Sequence, residues 1–230
     1  EDGWPVLAPG EGRVPAAVEV TFAGTAPPGA SQGRTSGVIL PGDLRWTSLR
    51  RPPADFASPR GDGWILTARP TTLAEPGTPA FLGVRQQHVD VDVRVTVRAD
   101  LAVAEEAGLV VRQSEADHVR VFVTGAAGLG GLRVTAVHRQ GGVDRTLGEV
   151  SLDSDAAAPV TLALSARGQD YTLLAGASGG QLATVAVADG RMLDSVTTGG
   201  FLGLWIAAYA TSNGRPTTTA VEVDFEYNPA

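Results

Sequence analysis

Phe201, Trp205 and Tyr209 recur at four-residue intervals in the run Gly199–Tyr209, and on a strand that spacing puts all three on one face. Leu202, Leu204, Ile206 and Ala208 then form the opposite, aliphatic face, which suits a core. Gly203 and Ala207 leave gaps between the rings, the shape of a groove for a flat sugar ring or a partner surface. A second cluster, Arg85-Gln86-Gln87-His88, breaks an apolar pattern with four hydrogen-bonding side chains. If Val89 faces the core, strict alternation would bury Gln87 and Arg85 as well. Either the chain bends there and pairs those groups, or they line a polar groove facing sugar or a partner.

Other chemistry finds little support. Glycoside hydrolysis by a carboxylate pair needs two acids about 5 to 9.5 Å apart. Asp90, Asp92, Glu222 and Asp224 alternate with valines, while Glu105, Glu106, Asp153 and Asp155 fall in loops, so these acids read as solvated surface. His88, His118 and His138 lie in separate strands without metal-binding spacing, and cysteine is absent, so no zinc site is expected. The glycine-rich Gly125–Gly131 is a hairpin tip with no following helix to cradle a phosphate. No catalytic residue is expected in this chain.

A net charge of −7 and a pI near 4.9 speak against nucleic acid and anionic membranes as partners. No apolar run approaches the ~20 residues of a membrane span. All 18 basic residues are arginine, which reads as the coding bias of a GC-rich, bacterial genome. Lack of cysteine fits a reducing compartment without excluding secretion.

The elements that would position these residues are strands. Val89–Arg98 sets five valines on one face and five polar residues on the other, as in an antiparallel strand with one wet face. Similar alternation predicts strands over 17–22, 64–68, 81–86, 107–113, 118–124, 132–139, 145–150, 160–167, 171–177, 182–187, 202–210 and 218–227. Glycine-rich turns separate many of them, and only Ala99–Ala107 and Asp189–Asp194 could hold a helical turn. The expected fold is all-β, two antiparallel sheets in one sandwich over 17–230. A Gly/Pro-rich arm, 1–16, with Trp4 as its one aromatic residue, should dock on another body. Trp46 and Trp64, among aliphatic neighbours, read as core anchors.

Several segments together resemble one family. They are Asp43–Arg50, Leu66–Pro70, Arg85–His88, Ala107–Val110, Gly200–Gly203 and Asp224–Tyr227, which occur in the same order in the C-terminal concanavalin-A-like jelly-roll sandwich of glycoside hydrolase family 43 β-xylosidases and α-L-arabinofuranosidases. Asp2–Val6 and Gly10–Val14 resemble the end of that family's five-bladed catalytic propeller and the linker leaving it. The resemblance implies that the catalytic acids lie in the propeller, whose own calcium is a family option. It also implies that the sandwich packs on the propeller, and that Phe201, by motif position, reaches the mouth of the active-site pocket and helps to close it. Where calcium-holding sandwiches carry acids, this chain reads Val20-Thr21-Phe22 and Val221-Glu222-Val223, so no metal or cofactor is expected here.

These readings single out Phe201, Trp205, Arg85 and His88 toward substrate, a xylo-oligosaccharide or an arabinoxylan fragment, and Trp4 and Phe201 toward the partner domain. Two alternatives stand beside them: a xylan-binding module using the aromatic face, and a purely structural or homo-oligomerising domain. Trp205 and Tyr209 read equally as packing or as binding.

Overall fold

The computed structural model describes residues 37–125, 132–152, 158–199 and 202–230. The arm with Trp4, the strand expected at 17–22, the hairpin tip after Gly125, Asp153 and Asp155, and Phe201 lie outside the described residues.

Among the described residues fourteen strands follow one another: β1 (Thr47–Ser48), β2 (Ala57–Arg60), β3 (Gly63–Thr67), β4 (Ala80–Arg85), β5 (Val91–Arg98), β6 (Glu106–Arg112), β7 (His118–Thr124), β8 (Leu132–Gln140), β9 (Val143–Leu152), β10 (Val160–Arg167), β11 (Asp170–Ala177), β12 (Ala183–Asp189), β13 (Trp205–Thr211) and β14 (Ala220–Pro229). They form two seven-stranded sheets, ordered β1-β4-β13-β6-β7-β8-β9 and β12-β11-β10-β5-β14-β3-β2. Every pairing of these strands is antiparallel. The last two strands are not at the edges. β13 slots between β4 and β6, and β14 between β5 and β3, so the C-terminal chain completes both sheets.

Alternation explains the layers. In β5, Val91, Val93, Val95 and Val97 are buried while the residues between them are not, and β10 supplies Val160, Leu162 and Leu164 beside them. The other sheet answers with Leu82, Val84, Leu109, Val111, Val119, Val121, Ile206 and Ala208, and the two inner faces make one core. Trp46 meets Trp64 edge-on at 5.8 Å and Phe225 at 5.2 Å, which makes both tryptophans anchors at its rim.

Both edge strands that close one side of the sandwich carry a register shift, at Ala136/Val137 opposite β9 and at Leu173/Leu174 opposite β12. A Cβ on Gly148 in β9 would collide with the carbonyl of Val185 in β12, so glycine lets the two bent edges meet.

Two expectations need correction. Ala99–Ala107 holds no helical turn, because Glu105 ties this connection down by side-chain bonds. Val89 does not face the core: it is 70% exposed, since β4 ends at Arg85 and β5 starts only at Val91. The irregular stretch after Leu49 also contains β2, which pairs with β3. Asp189–Asp194 does contain a helical turn, a 3₁₀ turn at Gly190–Leu193, followed by the four-residue helix α1 (Ser195–Thr198).

Candidate functional site

The end of β4 and the start of β13 lie side by side, with Trp205 opposite Arg85 on one flank and opposite Arg112 of β6 on the other. All three point away from the core, because Leu82, Val84 and Ile206 take the inward positions. The Arg85 guanidinium lies flat against Trp205, its carbon 3.5 Å from the ring centroid. Arg85 Nη1 also donates to the Gly203 carbonyl at 2.6 Å. One more ladder-like bond, Gln86 N to Leu204 O at 2.9 Å, precedes the strand proper, which starts at Trp205 and not at Leu202.

Beyond Gln86 the backbone leaves the sheet, and its amides need other acceptors. Tyr227 of β14 provides one: its phenol oxygen accepts from Gln87 N at 2.9 Å and from His88 N at 3.2 Å. Nδ1 of His88 lies 3.2 Å from the same oxygen. An oxygen that accepts from two amides keeps its own hydrogen to give, and Nδ1 of His88 lies within its reach. The Gln86 amide donates to His88 O at 3.0 Å and accepts from Tyr171 Oη at 3.4 Å. The cluster is a hydrogen-bonded bend, and its Gln86, Gln87 and His88 line a groove of about 300 Å³ that Tyr171, Leu193 and Leu202 help to form.

Behind Trp205, Arg112 is 3% exposed and pairs with Glu115 Oε1 at 2.9 Å, while Arg50 holds the same carboxylate. Burial pushes the Arg112 guanidinium below its ordinary pKa, against the pull of Glu115. Burial would raise Glu115 too, but hydrogen bonding from Arg50 and the charges of both arginines outweigh it and hold the carboxyl below its usual range.

Further along the same face a second polar group gathers under Leu73. The Tyr209 hydroxyl donates to Glu106 Oε2 at 3.2 Å, and Arg120 reaches Asp144 Oδ2 at 3.2 Å and His118 Nε2 at 3.2 Å. His118 is fully buried, and that burial, with the charge of Arg120 second, lowers its pKa to about 3. It is a neutral packing histidine that donates from Nδ1 to Ser114 O at 3.3 Å and accepts from Arg120. The gap here is about 110 Å³, well below the ~300 Å³ at which ligand pockets usually begin. It has room for water but not for a sugar.

The structure thus brings Arg85 and Trp205 into contact and ties His88 to Tyr227, on the neighbouring rim of the groove. Tyr209 is 2% exposed, so of the two described rings in the aromatic stripe only Trp205 keeps accessible surface. The face that a sugar would stack on is already taken by Arg85. The sequence gives no hint of Arg112, Gln113 or Tyr227 at this site. Tyr227 stands in the inward register of β14, and its reach to residue 87, beyond the end of β4, has no local signal. Among the described residues no group of three or more histidine, cysteine, aspartate or glutamate side chains could hold a metal ion.

Comparison with known proteins adds the context. The family model of the β-xylosidase C-terminal concanavalin A-like domain matches residues 42–228. A non-reducing end α-L-arabinofuranosidase of Bacteroides ovatus is 29% identical over 192 residues, covering 79% of this chain and 34% of that protein. A xylosidase/arabinosidase of Butyrivibrio fibrisolvens is 25% identical over 240 residues, covering 99% of this chain and 44% of that protein. The chain therefore spans less than half the length of these relatives. Among solved structures, a family 43 protein from a Bacteroides ovatus xyloglucan locus superposes with a TM-score of 0.77 at 23% identity, over 95% of this chain and 42% of that one. A xylan β-1,4-xylosidase from Bacillus halodurans superposes with a TM-score of 0.76 at 17% identity, over 93% of this chain and 41% of that one.

Proposed function

The chain belongs to the family of β-xylosidase C-terminal concanavalin-A-like domains, and on that premise we propose that it is the non-catalytic sandwich of a family 43 glycosidase that removes xylose or arabinose from hemicellulose fragments. It docks on a catalytic propeller with the end of the sandwich that residues 86–89, 196–199 and 202–204 form, and it brings Phe201 to the mouth of the propeller's pocket. One observation supports this end. Val89 is 70%, Val196 91% and Leu202 51% exposed, and Val89 and Leu202 flank the groove of Gln87 and His88. Large apolar side chains beside polar donors are the make-up of a surface meant to be covered.

An apolar wall on the leaving-group side of a pocket excludes water and limits it to chain ends, so the contribution is to rate and selectivity and not to bond cleavage. The isolated chain should hydrolyse neither aryl xylosides nor aryl arabinofuranosides. In the protein that joins this sandwich to its propeller, Phe201→Ala should lower kcat/KM for such glycosides about tenfold. Steady-state kinetics decide it, and wild-type constants in that variant would remove Phe201 from the pocket.

A further inference from the structure

The edge strands β9 and β12 touch where Gly148 lets the carbonyl of Val185 come close. On the side of that contact towards Val143 and Asp189 they flank a second groove, of about 390 Å³, which is large enough for a small organic molecule. Its wall is mainly apolar. Val143, 71% exposed, and Leu147 come from β9, Val187, 63% exposed, from β12, and Met192 from the 3₁₀ turn that follows. Two largely exposed valines on facing edges are left over by the core and suit a surface that something covers.

Two polar side chains of this groove are uncommitted. His138 pairs across the ladder with Arg145 and continues the inward positions Leu132, Val134 and Ala136 of β8. Its Nε2 is buried without a hydrogen-bond partner, a condition that folded proteins generally avoid. Burial lowers the pKa of His138, and Arg145 adds to that against the pull of Asp117 and Asp189, so the ring is neutral at neutral pH. Arg145 is exposed and forms no ion pair among the described residues. Asp189, the acid of the groove, is already taken: Arg191 Nε holds its two oxygens at 2.9 and 3.1 Å.

We infer that this groove binds a small aromatic carboxylate, with Arg145 taking the carboxylate, His138 adding a hydrogen bond, and the ring lying against Met192 and the two valines. A guanidinium meets a carboxylate through two parallel N–H···O bonds, so it fixes the orientation as well as the charge. The imidazole gives up no existing hydrogen bond when it turns a nitrogen to the same group. Thioether sulfur packs favourably on aromatic rings, and the unbranched Met192 can adjust to one. A neutral sugar fits less well, because no aromatic side chain lines the groove for it to stack on. Binding here needs no propeller.

Titration of this chain with phenylacetate, read from backbone amide shifts by heteronuclear NMR, tests the site. Phenylacetate should bind with a Kd of about 1 mM and shift the amides of His138, Arg145 and Val187. Its neutral analogue phenylacetamide should bind about fivefold more weakly, and Arg145→Gln should weaken phenylacetate by about the same factor while leaving phenylacetamide unchanged. Arg145 is exposed on an edge strand, so its replacement leaves the fold intact; Val187→Asp, which sets a negative charge in the apolar wall, should abolish binding of both compounds. Equal affinity for the acid and the neutral analogue, an unchanged Kd in Arg145→Gln, or shifts confined to other residues would each overturn the proposal. Xylobiose should leave the three amides unmoved, and saturable shifts there with xylobiose would make this a sugar site and overturn it as well.

Discussion

Glu105→Ala should destabilise the sandwich by about 3 kcal/mol, because it strips the acceptor from several part-buried donors at once. Glu105 is 5% exposed, and among the described residues no arginine or histidine forms an ion pair with it. Its carboxylate accepts from the Ala102 amide at 2.8 Å, from Thr219 Oγ1 at 2.8 and 3.0 Å, and from the Thr217 hydroxyl. These bonds join the β5–β6 connection to the β13–β14 connection, at the opposite end of β13 from Gly203. Burial works to raise the pKa of Glu105, but the donors from Thr217, Ala102 and Thr219 outweigh it and hold the group below its ordinary value of 4.5. A depressed carboxyl adds stability that is complete above the unfolded-state pKa and is lost as pH falls through the folded-state value. Urea unfolding should therefore show a gap between wild type and Glu105→Gln that is widest near neutral pH and narrows as pH falls below 4.5. A gap that stays constant or widens on acidification would mean that the charge of Glu105 contributes nothing. In melting temperature, about 3 kcal/mol in a domain of this size corresponds to roughly 6 to 12 °C.

Glu105 also illustrates where reading the sequence runs out. As a loop acid it looked solvated, and its partners Thr217 and Thr219 stand more than a hundred positions further on. By contrast, the valines of β5 needed no distant knowledge. Their period of two names the inner face directly, and β7 and β10 fall on the expected residues for the same reason. The pattern failed only where something non-local intervenes. Val89 continues the valine period but lies outside, because Tyr227 from the other sheet draws off the amides of Gln87 and His88.

The aromatic stripe fails in the same manner. Spacing places Trp205 and Tyr209 on one outward face, which is correct, but it cannot show that Leu73 packs over Tyr209. Nor can it show that Arg85 lies on Trp205, although strand pairing puts the two in register. Chemistry-bearing side chains were therefore identified by type, as in Arg85 and His88, while their mutual contacts came only from sheet order.

Arg120→Met should cost about 2 to 4 kcal/mol, the second large effect, because it breaks a mostly buried ion pair from one side only. The Arg120 side chain is 13% exposed and faces Glu106, 15% exposed, at 3.7 Å and Asp144, 42% exposed, at 3.2 Å. Burial would lower the pKa of Arg120, but Tyr209, Glu106 and Asp144 around it raise it overall. Burial likewise works to raise Asp144, and hydrogen bonds from Arg120 and Arg139 reverse that. Methionine fills much of the arginine's space, so cavity formation contributes little and the loss is mainly electrostatic. It leaves Glu106 uncompensated and the acceptor Nε2 of His118 unpaired. Asp144 suffers less, being half-exposed and still held by Arg139 at 3.0 Å. The discriminating experiment is a double-mutant cycle in denaturant unfolding. Arg120→Met with Asp144→Asn should lose about 1 kcal/mol less than the sum of the single losses, because the second change removes a charge that the first left with one partner fewer. Strict additivity would show that the Arg120–Asp144 pair contributes nothing, leaving Arg120 to act through Glu106 and by packing over Phe122, whose ring centroid lies 5.3 Å from its guanidinium carbon. The network would then be no electrostatic tie between β7 and β9.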